Sequence, residues 1–365
     1  MSKAAELANL IGNINAGGGG VNRNLIINGA MNVSQRGTSF AAPANDTYTL
    51  DRFIARKSND GAVTITQDSS GPSGFENSLK VDVTTADTSL GTSQFSMVQH
   101  KIEAQNLQGL AFGTSDAKNF TLSFYVKSNK TGTYAVNIAQ SDNSSKQATL
   151  TYTIDSANTW ERKSVTFTGD TSGVINDDNG SGFGILWWLV AGSDFTSGSA
   201  SATFQTYANA NAAAGQAVNV LDSTDNTWFL TGVQLEVGQN PTSFEHEPYD
   251  KTLKKCQRYF ERISLINGQQ YLGYSGSTAV AHASILLHRK RSTPTVTLPT
   301  TGTSTNQASF LDGNGSYTTP GSHSALYLNE ERFTVRASSY SGLDDDTVSA
   351  LYSNGSTNYD VDAEL

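Results

Sequence analysis

Asn226-Thr-Trp-Phe-Leu-Thr-Gly-Val-Gln-Leu-Glu-Val-Gly-Gln-Asn-Pro-Thr-Ser-Phe-Glu-His-Glu-Pro-Tyr-Asp250 is the stretch on which the fold turns. Trp228 and Leu230 share one face of an extended strand. Beyond Gly232 the apolar set becomes Val233, Leu235 and Val237. Strand side chains alternate with a period of two, so a shift of parity by one residue is what a bulge at a glycine produces. The chain then leaves through Gly238 and Pro241, and Phe244 and Tyr249 are placed to pack back as plugs. This is the pattern of the last, central strand of a β-sandwich. Residues before it supply the sheets it completes; residues after it form a second unit.

The 365 residues leave room for about two domains. Charged residues make up 16% of the chain, against about 25% in a typical globular protein. Gly (33 residues), Ser, Thr and Asn take their place, which suits many short strands joined by tight turns. The formal net charge of −9 argues against a phosphate-backbone partner, so no nucleic acid is expected, and the charge serves solubility. Cys256 is the only cysteine, which excludes an intrachain disulfide and a multi-cysteine metal site. The N-terminal Met-Ser-Lys-Ala-Ala-Glu-Leu-Ala-Asn-Leu-Ile is too short in its apolar part, and too interrupted by Glu6 and Asn9, to be a secretory signal. No run of about 18 apolar residues occurs, so no membrane insertion is expected. The expectation is a protein made in a cytosol that, if it acts outside, leaves by a route such as lysis.

Four segments are expected. Residues 1–21 hold a short helix with the stripe Ala4, Leu7, Ala8 and Ile11, followed by the hinge Gly17–Gly20. A lone helix of that length is unstable without a partner, either copies of itself or a groove on another protein. A frayed terminus is the alternative. Residues 22–249 form the first β-domain. It begins with a strand at Leu25–Ile27 and an Asn28-Gly29 turn. Period-2 runs follow: Val63 and Ile65; Leu79, Val81 and Val83; Val98, His100 and Ile102; Phe120, Leu122, Phe124 and Val126; Tyr134, Val136 and Ile138; Leu150, Tyr152 and Ile154; Val165 and Phe167 after Trp160. Such runs between Gly/Asn/Ser/Asp turns signal an antiparallel sandwich. Residues 183–190 are apolar on both faces, as in a doubly covered strand, and 195–217 read as a long surface loop. Residues 250–264 are a linker helix, because Leu253, Cys256, Phe260 and Ile263 have helical spacing. Residues 265–365 are a smaller β-domain and the candidate receptor-binding tip. Its strands fall at 270–274, 281–287, 295–298, 325–328 and 332–336, with Asp312–Gly315 in a loop.

Catalytic signatures are missing: there is no nucleophile elbow, phosphate-binding loop, dinucleotide fingerprint or zinc-protease helix. His100, His246, His282, His288 and His323 are scattered and read as structural. Paired carboxylates for glycoside cleavage lie too far apart in sequence to be found this way. Asp177-Asp178-Asn179-Gly180 and Asp344–Asp346 are oxygen-rich enough for Ca²⁺ but lack EF-hand spacing; otherwise they are solvated turns, and no cofactor is required. Trp187 and Trp188 are adjacent, so they point to opposite faces of a strand. One belongs to the core. The other is either covered by a neighbouring chain or offers a platform to a sugar ring. Tyr125, on the polar face of its strand, is a further platform candidate.

Asn24-Leu-Ile-Ile-Asn-Gly-Ala-Met31 with Ser34-Gln-Arg36, then Asp51-Arg-Phe53, then Gly232–Val237 through Phe244-Glu-His-Glu-Pro-Tyr249, and Cys256-Gln-Arg-Tyr259 resemble tail-fibre and related virion proteins of bacteriophages. Residues 95–138 are similar to carbohydrate-binding jelly rolls generally. The likeness spans about residues 22–262, and Ile285–Val296 resembles the start of the C-terminal domain of the same proteins. It implies an all-β chain: a short N-terminal helix, an antiparallel jelly-roll sandwich, a short helix and a second, smaller β-sandwich. It also implies a homotrimer in a virion, anchored by its N-terminus (here Ala4, Leu7, Leu10 and Ile11) and carrying a distal end for a host-surface glycan. It transfers no residue-level sugar site. The anchor, residues 1–21, is far smaller than those of long fibres, so tail, baseplate and capsid all stay open as docking points. The expected function is non-enzymatic host recognition. A surface-polysaccharide depolymerase and a carbohydrate-binding module of a secreted glycosidase are the alternatives. The missing signal peptide and catalytic domain weigh against the second.

Overall fold

The computed structural model describes residues 2–15, 22–142, 146–266, 270–277, 279–301, 307–311, 321–341, 343, 347–353 and 355–365. The hinge Gly17–Gly20, the Asp312–Gly315 loop and Asp344–Asp346 lie outside them. The chain divides into two compact units, Met1–Leu253 with Leu365, and Lys254–Glu364. No helix among the described residues is long and apolar enough to cross a membrane.

The first unit starts with α1 (Lys3–Asn15). The strands follow as β1 (Ser39–Ala41), β2 (Thr47–Tyr48), β3 (Phe53–Ser58), β4 (Ala62–Asp68), β5 (Ser78–Thr85), β6 (Phe95–Glu103), β7 (Phe120–Ser128), β8 (Gly132–Gln140), β9 (Lys146–Ile154), β10 (Glu161–Phe167) and β11 (Ser181–Ala191). Then come α2 (Ser193–Thr196), β12 (Ser201–Thr206), α3 (Asn209–Ala212), β13 (Thr227–Val237) and α4 (Tyr249–Gln257). The strands make two antiparallel sheets, ordered β1-β4-β5-β13-β7-β10 and β12-β9-β8-β11-β6-β3-β2. This is the jelly-roll sandwich that the period-2 runs predict. The inward-facing residues of both sheets share one core that includes Phe53, Phe120, Phe124, Trp187 and Trp228, all fully buried.

β13 occupies the centre of the first sheet, between β5 and β7. Trp228 and Leu230 face the core, and so do Val233, Leu235 and Val237. The register against β7 slips between Thr231 and Gln234, and Gly232 has φ +60°. The parity change in the sequence is therefore a real bulge. Phe244 packs back as expected, its ring 5.0 Å from Phe75. Tyr249 does not: it is 57% exposed at the start of α4.

Residues 25–27 are not a regular strand, contrary to expectation. Leu25 N–H donates to Leu235 O, and Val233 N–H donates to Gly29 O, each at 2.9 Å, so the segment only laces onto β13 beyond the bulge. A Cβ on Gly29 would lie 2.1 Å from the Val233 carbonyl oxygen, which leaves room for glycine alone. Buried Asn28, at φ +62°, donates from Nδ2 to the carbonyls of Val33 and Asp51 and accepts from Val33 N–H. Asp51 accepts from Gln35 N–H and Nε2, both at 2.6 Å; burial pushes its carboxyl above its ordinary range. His100 is fully buried against Phe53 and held down to about 3 by burial and by Arg52. The Asn-Gly and Asp-Arg-Phe motifs are thus folding devices that lock the chain's entry to its last strand.

The linker helix is shorter than its spacing suggests. α4 stops at Gln257, where Tyr259 N–H turns back to Cys256 O. Phe260 and Ile263 already belong to a strand. Four apolar residues at helical spacing do not by themselves fix a helix, the alternation of Ile263 with Leu265 marks a strand, and seven residues of ladder with the last strand decide for the sheet.

The second unit contains β14 (Phe260–Ile266), β15 (Gln270–Ser277), β16 (Val280–Leu286), β17 (Thr295–Thr297), β18 (Ala308–Leu311), β19 (Ser322–Leu326), β20 (Arg332–Ser338), β21 (Thr347–Ser353) and β22 (Ser356–Asp362). Its sheets run β14-β22-β17 and β18-β21-β15-β16-β20-β19, around a core of Leu265, Phe310, Phe333, Val335, Leu351, Tyr359 and Val361. Inside that core His323 Nε2 lies 2.8 Å from the Tyr340 hydroxyl, and the two rings stack. Burial pushes His323 down to about 4 and Tyr340 up to about 12. A neutral His in the fold, against an ordinary pKa near 6.5 when unfolded, means that the unfolded chain binds the extra proton between these values. Stability is therefore complete above about pH 6.5 and falls as pH drops toward 4, by about 1.4 kcal/mol per unit. Urea midpoints of the second unit across this range are expected to show the slope, and His323→Phe is expected to flatten it.

Candidate functional site

Neither tryptophan of the pair in β11 is a sugar platform. Trp187 points into the inter-sheet core, 6.0 Å from Phe124 and 6.5 Å from Phe53. Trp188 points the other way and is also buried, at 2% exposure. Its cover is neither a neighbouring chain nor a ligand. Phe195 of α2 lies 5.4 Å from its ring and Phe95 6.1 Å, with Ala212 and Ala213 in the same cluster. Residues 195–217, expected as a surface loop, instead supply β12 as the edge of the second sheet and, with α2 and α3, cover that sheet's outer face around Trp188. Backbone bonds pin this cover there: Asp194 N–H to Thr92 O, Ala213 N–H to Phe195 O and Ala217 N–H to Thr133 O.

Tyr125 stands on the outer face of the first sheet, half-buried, its ring 5.4 Å from Phe75. A Cβ on Gly232 would come within 2.8 Å of both rings, so the bulge glycine also makes room for this pair. Phe244 and His246 extend the cluster, with His246 itself exposed.

One row away is a group that no sequence motif marked. Phe229 of β13 is paired with Lys80 of β5 on one side and Lys127 of β7 on the other. The Lys127 ammonium lies 4.0 Å from the Phe229 ring centre and 5.0 Å from that of Trp160, which stands one residue before β10. The Lys80 ammonium is 5.9 Å from the Phe229 ring and 3.4 Å from Asp82. Cations sit over ring faces because the π quadrupole is negative there. Burial pulls the Lys127 pKa down, Asp68 raises it and Lys80 lowers it. Phe229 is itself buried, at 8% exposure, so the half-buried Trp160 and Tyr125 rings with the Lys80 and Lys127 ammonium groups are what this face presents, a set that suits a ligand with apolar C–H faces and polar rims. A signal for this row existed. If Trp228 and Leu230 face the core, Phe229 must face out, and Lys127 shares the parity of Tyr125.

The buried carboxylates of the first unit are engaged in structure. Glu236 accepts from Thr242 N–H, Thr242 Oγ1 and Gln234 Nε2, which ties the exit segment down. Asp170 holds Lys146 at 2.7 Å, and Asp87 accepts from the backbone of Asp60 and Ser89. Asp177 and Asp178 are exposed, and Asp178 Oδ1 accepts from Gly180 N–H in a local turn. Among the described residues no group of three or more His, Cys, Asp or Glu side chains is gathered as metal ligands would be. On α1, Ala4 is exposed, Leu7 is 57% and Ile11 49% exposed, and Leu10 is half-buried.

No protein-family model and no curated protein matches this sequence. Among solved structures, the chain is similar to the enzymatically active domain of tailspike protein 4 of bacteriophage CBA120. Identity is 11% and the TM-score 0.33, over 59% of this chain and 21% of that one. It is also similar to a family 11 carbohydrate-binding module from Clostridium thermocellum in complex with a β-1,3-1,4-mixed-linked tetrasaccharide, at 11% identity and a TM-score of 0.28, over 57% and 98% of the two chains. A third is the module TmCBM61 in complex with β-1,4-galactotriose, at 11% identity and a TM-score of 0.28, over 59% and 99%. The chain thus spans about a fifth of the tailspike domain. Likeness at this level decides neither ligand nor role; the chain's own side chains have to.

Proposed function

We propose that this chain is a non-enzymatic fibre protein of a bacteriophage particle, homotrimeric, held to another virion protein by α1 and recognising a host-surface glycan through its β-domains. The observation that carries the glycan reading is the outer-face row Lys80–Phe229–Lys127–Trp160, continued by Tyr125. Aromatic rings presented on a rigid sheet give stacking area at low entropic cost. The anchoring reading rests on Ala4, Leu7, Leu10 and Ile11. A 13-residue helix with exposed Leu7 and Ile11 needs a partner to persist. The structural use of Glu236, Asp170 and Asp87 supports binding over bond cleavage.

The test is titration of the full chain with purified polysaccharide from the host surface. Trp160→Ala is expected to weaken binding about tenfold or more, equivalent to roughly 1.4 kcal/mol, without moving the unfolding midpoint by more than a degree or two. A chain that sediments as a monomer at micromolar concentration and binds no such glycan would end the proposal. Release of reducing ends during the titration would replace it with the depolymerase reading.

A further inference from the structure

The six-stranded sheet of the second unit turns one face to its core and leaves the other open. On β16, Ala281, Ala283 and Ile285 are buried, so His282, Ser284 and Leu286 face outward. On β20, Phe333, Val335 and Ala337 are buried, so Arg332, Thr334 and Arg336 share that outer face. The ladder pairs them as His282 with Arg336, Ser284 with Thr334, and Leu286 with Arg332. Above these pairs lies a groove of about 380 Å³ lined by His282, Ser284, Tyr327, Arg332 and Thr334. That volume is in the range of small-ligand sites.

Three features of the groove and the sheet face around it have no structural use among the described residues. Tyr327, one residue past β19, is 75% exposed. Its φ of +49° is left-handed, a conformation that a bulky residue rarely adopts without a reason beyond local preference. Arg332 and Arg336 carry their charges outward with no ion-pair partner among the described residues. The two acids next to Arg332 are turned to other partners: Glu330 accepts from Thr293 Oγ1 at 3.1 Å, and Glu331 faces Arg289 at 3.9 Å. Leu286 is 80% exposed beside them. The Ser284 and Thr334 hydroxyls lie 3.1 Å apart at the floor, leaving lone pairs and protons for a ligand.

We infer that this groove binds a carboxylated saccharide, with the Tyr327 ring and Leu286 against the apolar face of a pyranose, Arg332 on its carboxylate, and Ser284 and Thr334 on its hydroxyls. The charge decides the class. In a chain of net charge −9, two outward guanidinium groups with no carboxylate paired to them among the described residues select an anion locally. A guanidinium grips a carboxylate with two parallel hydrogen bonds, and the exposed ring and leucine require a ligand that also has a C–H face. A neutral sugar would leave the arginines idle, and a bare inorganic anion would leave Tyr327 and Leu286 idle. The site stands on the second unit alone and holds whether or not the Trp160 row binds glycan.

The experiment is calorimetric titration of the full chain with tetra-galacturonate, its fully methyl-esterified form, the corresponding glucuronate and mannuronate oligomers, and poly-L-glutamate. Saturable binding of at least one hexuronate oligomer is expected, with the methyl ester at least tenfold weaker than its acid. Tyr327→Ala and Arg332→Gln are each expected to weaken binding about tenfold or more. Both residues are exposed, so both variants are expected to keep the parent circular dichroism spectrum. Trp160→Ala is expected to leave this affinity unchanged. Several results would overturn the inference: no saturable binding of any hexuronate oligomer, equal binding of acid and ester, or insensitivity to both variants. Loss of binding in Trp160→Ala would place the ligand on the first unit instead. Tighter binding of poly-L-glutamate than of every oligosaccharide would make the groove an acidic-peptide site.

Discussion

Glu261→Ala is expected to lower the stability of the second unit by about 3–5 kcal/mol. Lys290 has a fully covered side chain, and its ammonium lies 2.7 Å from Glu261 Oε2. It also donates to the Gln257 carbonyl. Glu261 is itself nearly covered; it further accepts from His288 N–H at 3.0 Å and meets His288 Nδ1 at 2.8 Å. Burial pulls the Lys290 pKa down, while Glu261 and then Asp362 work against that pull. Truncating Glu261 leaves the ammonium buried beside one carbonyl, without its counter-charge. The cost is therefore that of a stranded charge, larger than the pair's own net contribution. For the same reason the double change Glu261→Leu with Lys290→Met is expected to recover most of the loss. Urea unfolding of the second unit, followed by its own proteolytic protection, measures both. A loss under about 1 kcal/mol in the single variant would mean that Lys290 finds water after all.

Trp188→Ala is expected to destabilise the first unit by about 3–5 kcal/mol, the range for emptying a large aromatic site in a core. The ring is wedged between Phe95, Met97, Phe195, Ala212 and Ala213, and the covering layer is held by backbone bonds that do not let it collapse inward. Trp187→Ala is expected to cost a similar amount from the inter-sheet core. Neither change is expected to alter glycan affinity once the protein is folded. Comparison with Trp160→Ala makes the distinction sharp: the outer-row variant is expected to lose binding at nearly unchanged stability, and the β11 variants to lose stability at unchanged binding. Weaker glycan binding by Trp188→Ala with an unmoved melting temperature would reverse that assignment.

Much of the fold was legible because burial imposes a period of two on strands. The runs Leu79-Val81-Val83 and Phe120-Leu122-Phe124-Val126 point inward as their spacing requires. The slipped parity at Gly232 was a local event, visible without any partner strand. Errors came where a few residues at helical spacing ran on into a strand, as at residues 250–263, or where cover comes from residues with little apolar signal of their own. Ala212 and Ala213 bury Trp188 only because the chain folds them onto it; composition alone marked that segment as loop. β18 and β22 were missed because each marks its core face with only two residues, Ala308 and Phe310 in one and Tyr359 and Val361 in the other, too few to establish a period.

Local chemistry along the chain was enough to require stacked antiparallel sheets, a bulged central strand and an Asn-Gly turn with a left-handed residue, because alternation, parity and backbone sterics act between near neighbours. Which aromatic side chains share the outer face was decided only when distant strands came together. Phe229, Lys127 and Trp160 form one row because β13 lies beside β7 and β7 beside β10. Trp188, the more conspicuous residue in sequence, vanishes under its own chain. Exposure is set by what folds over a residue, and that partner can lie anywhere in the sequence.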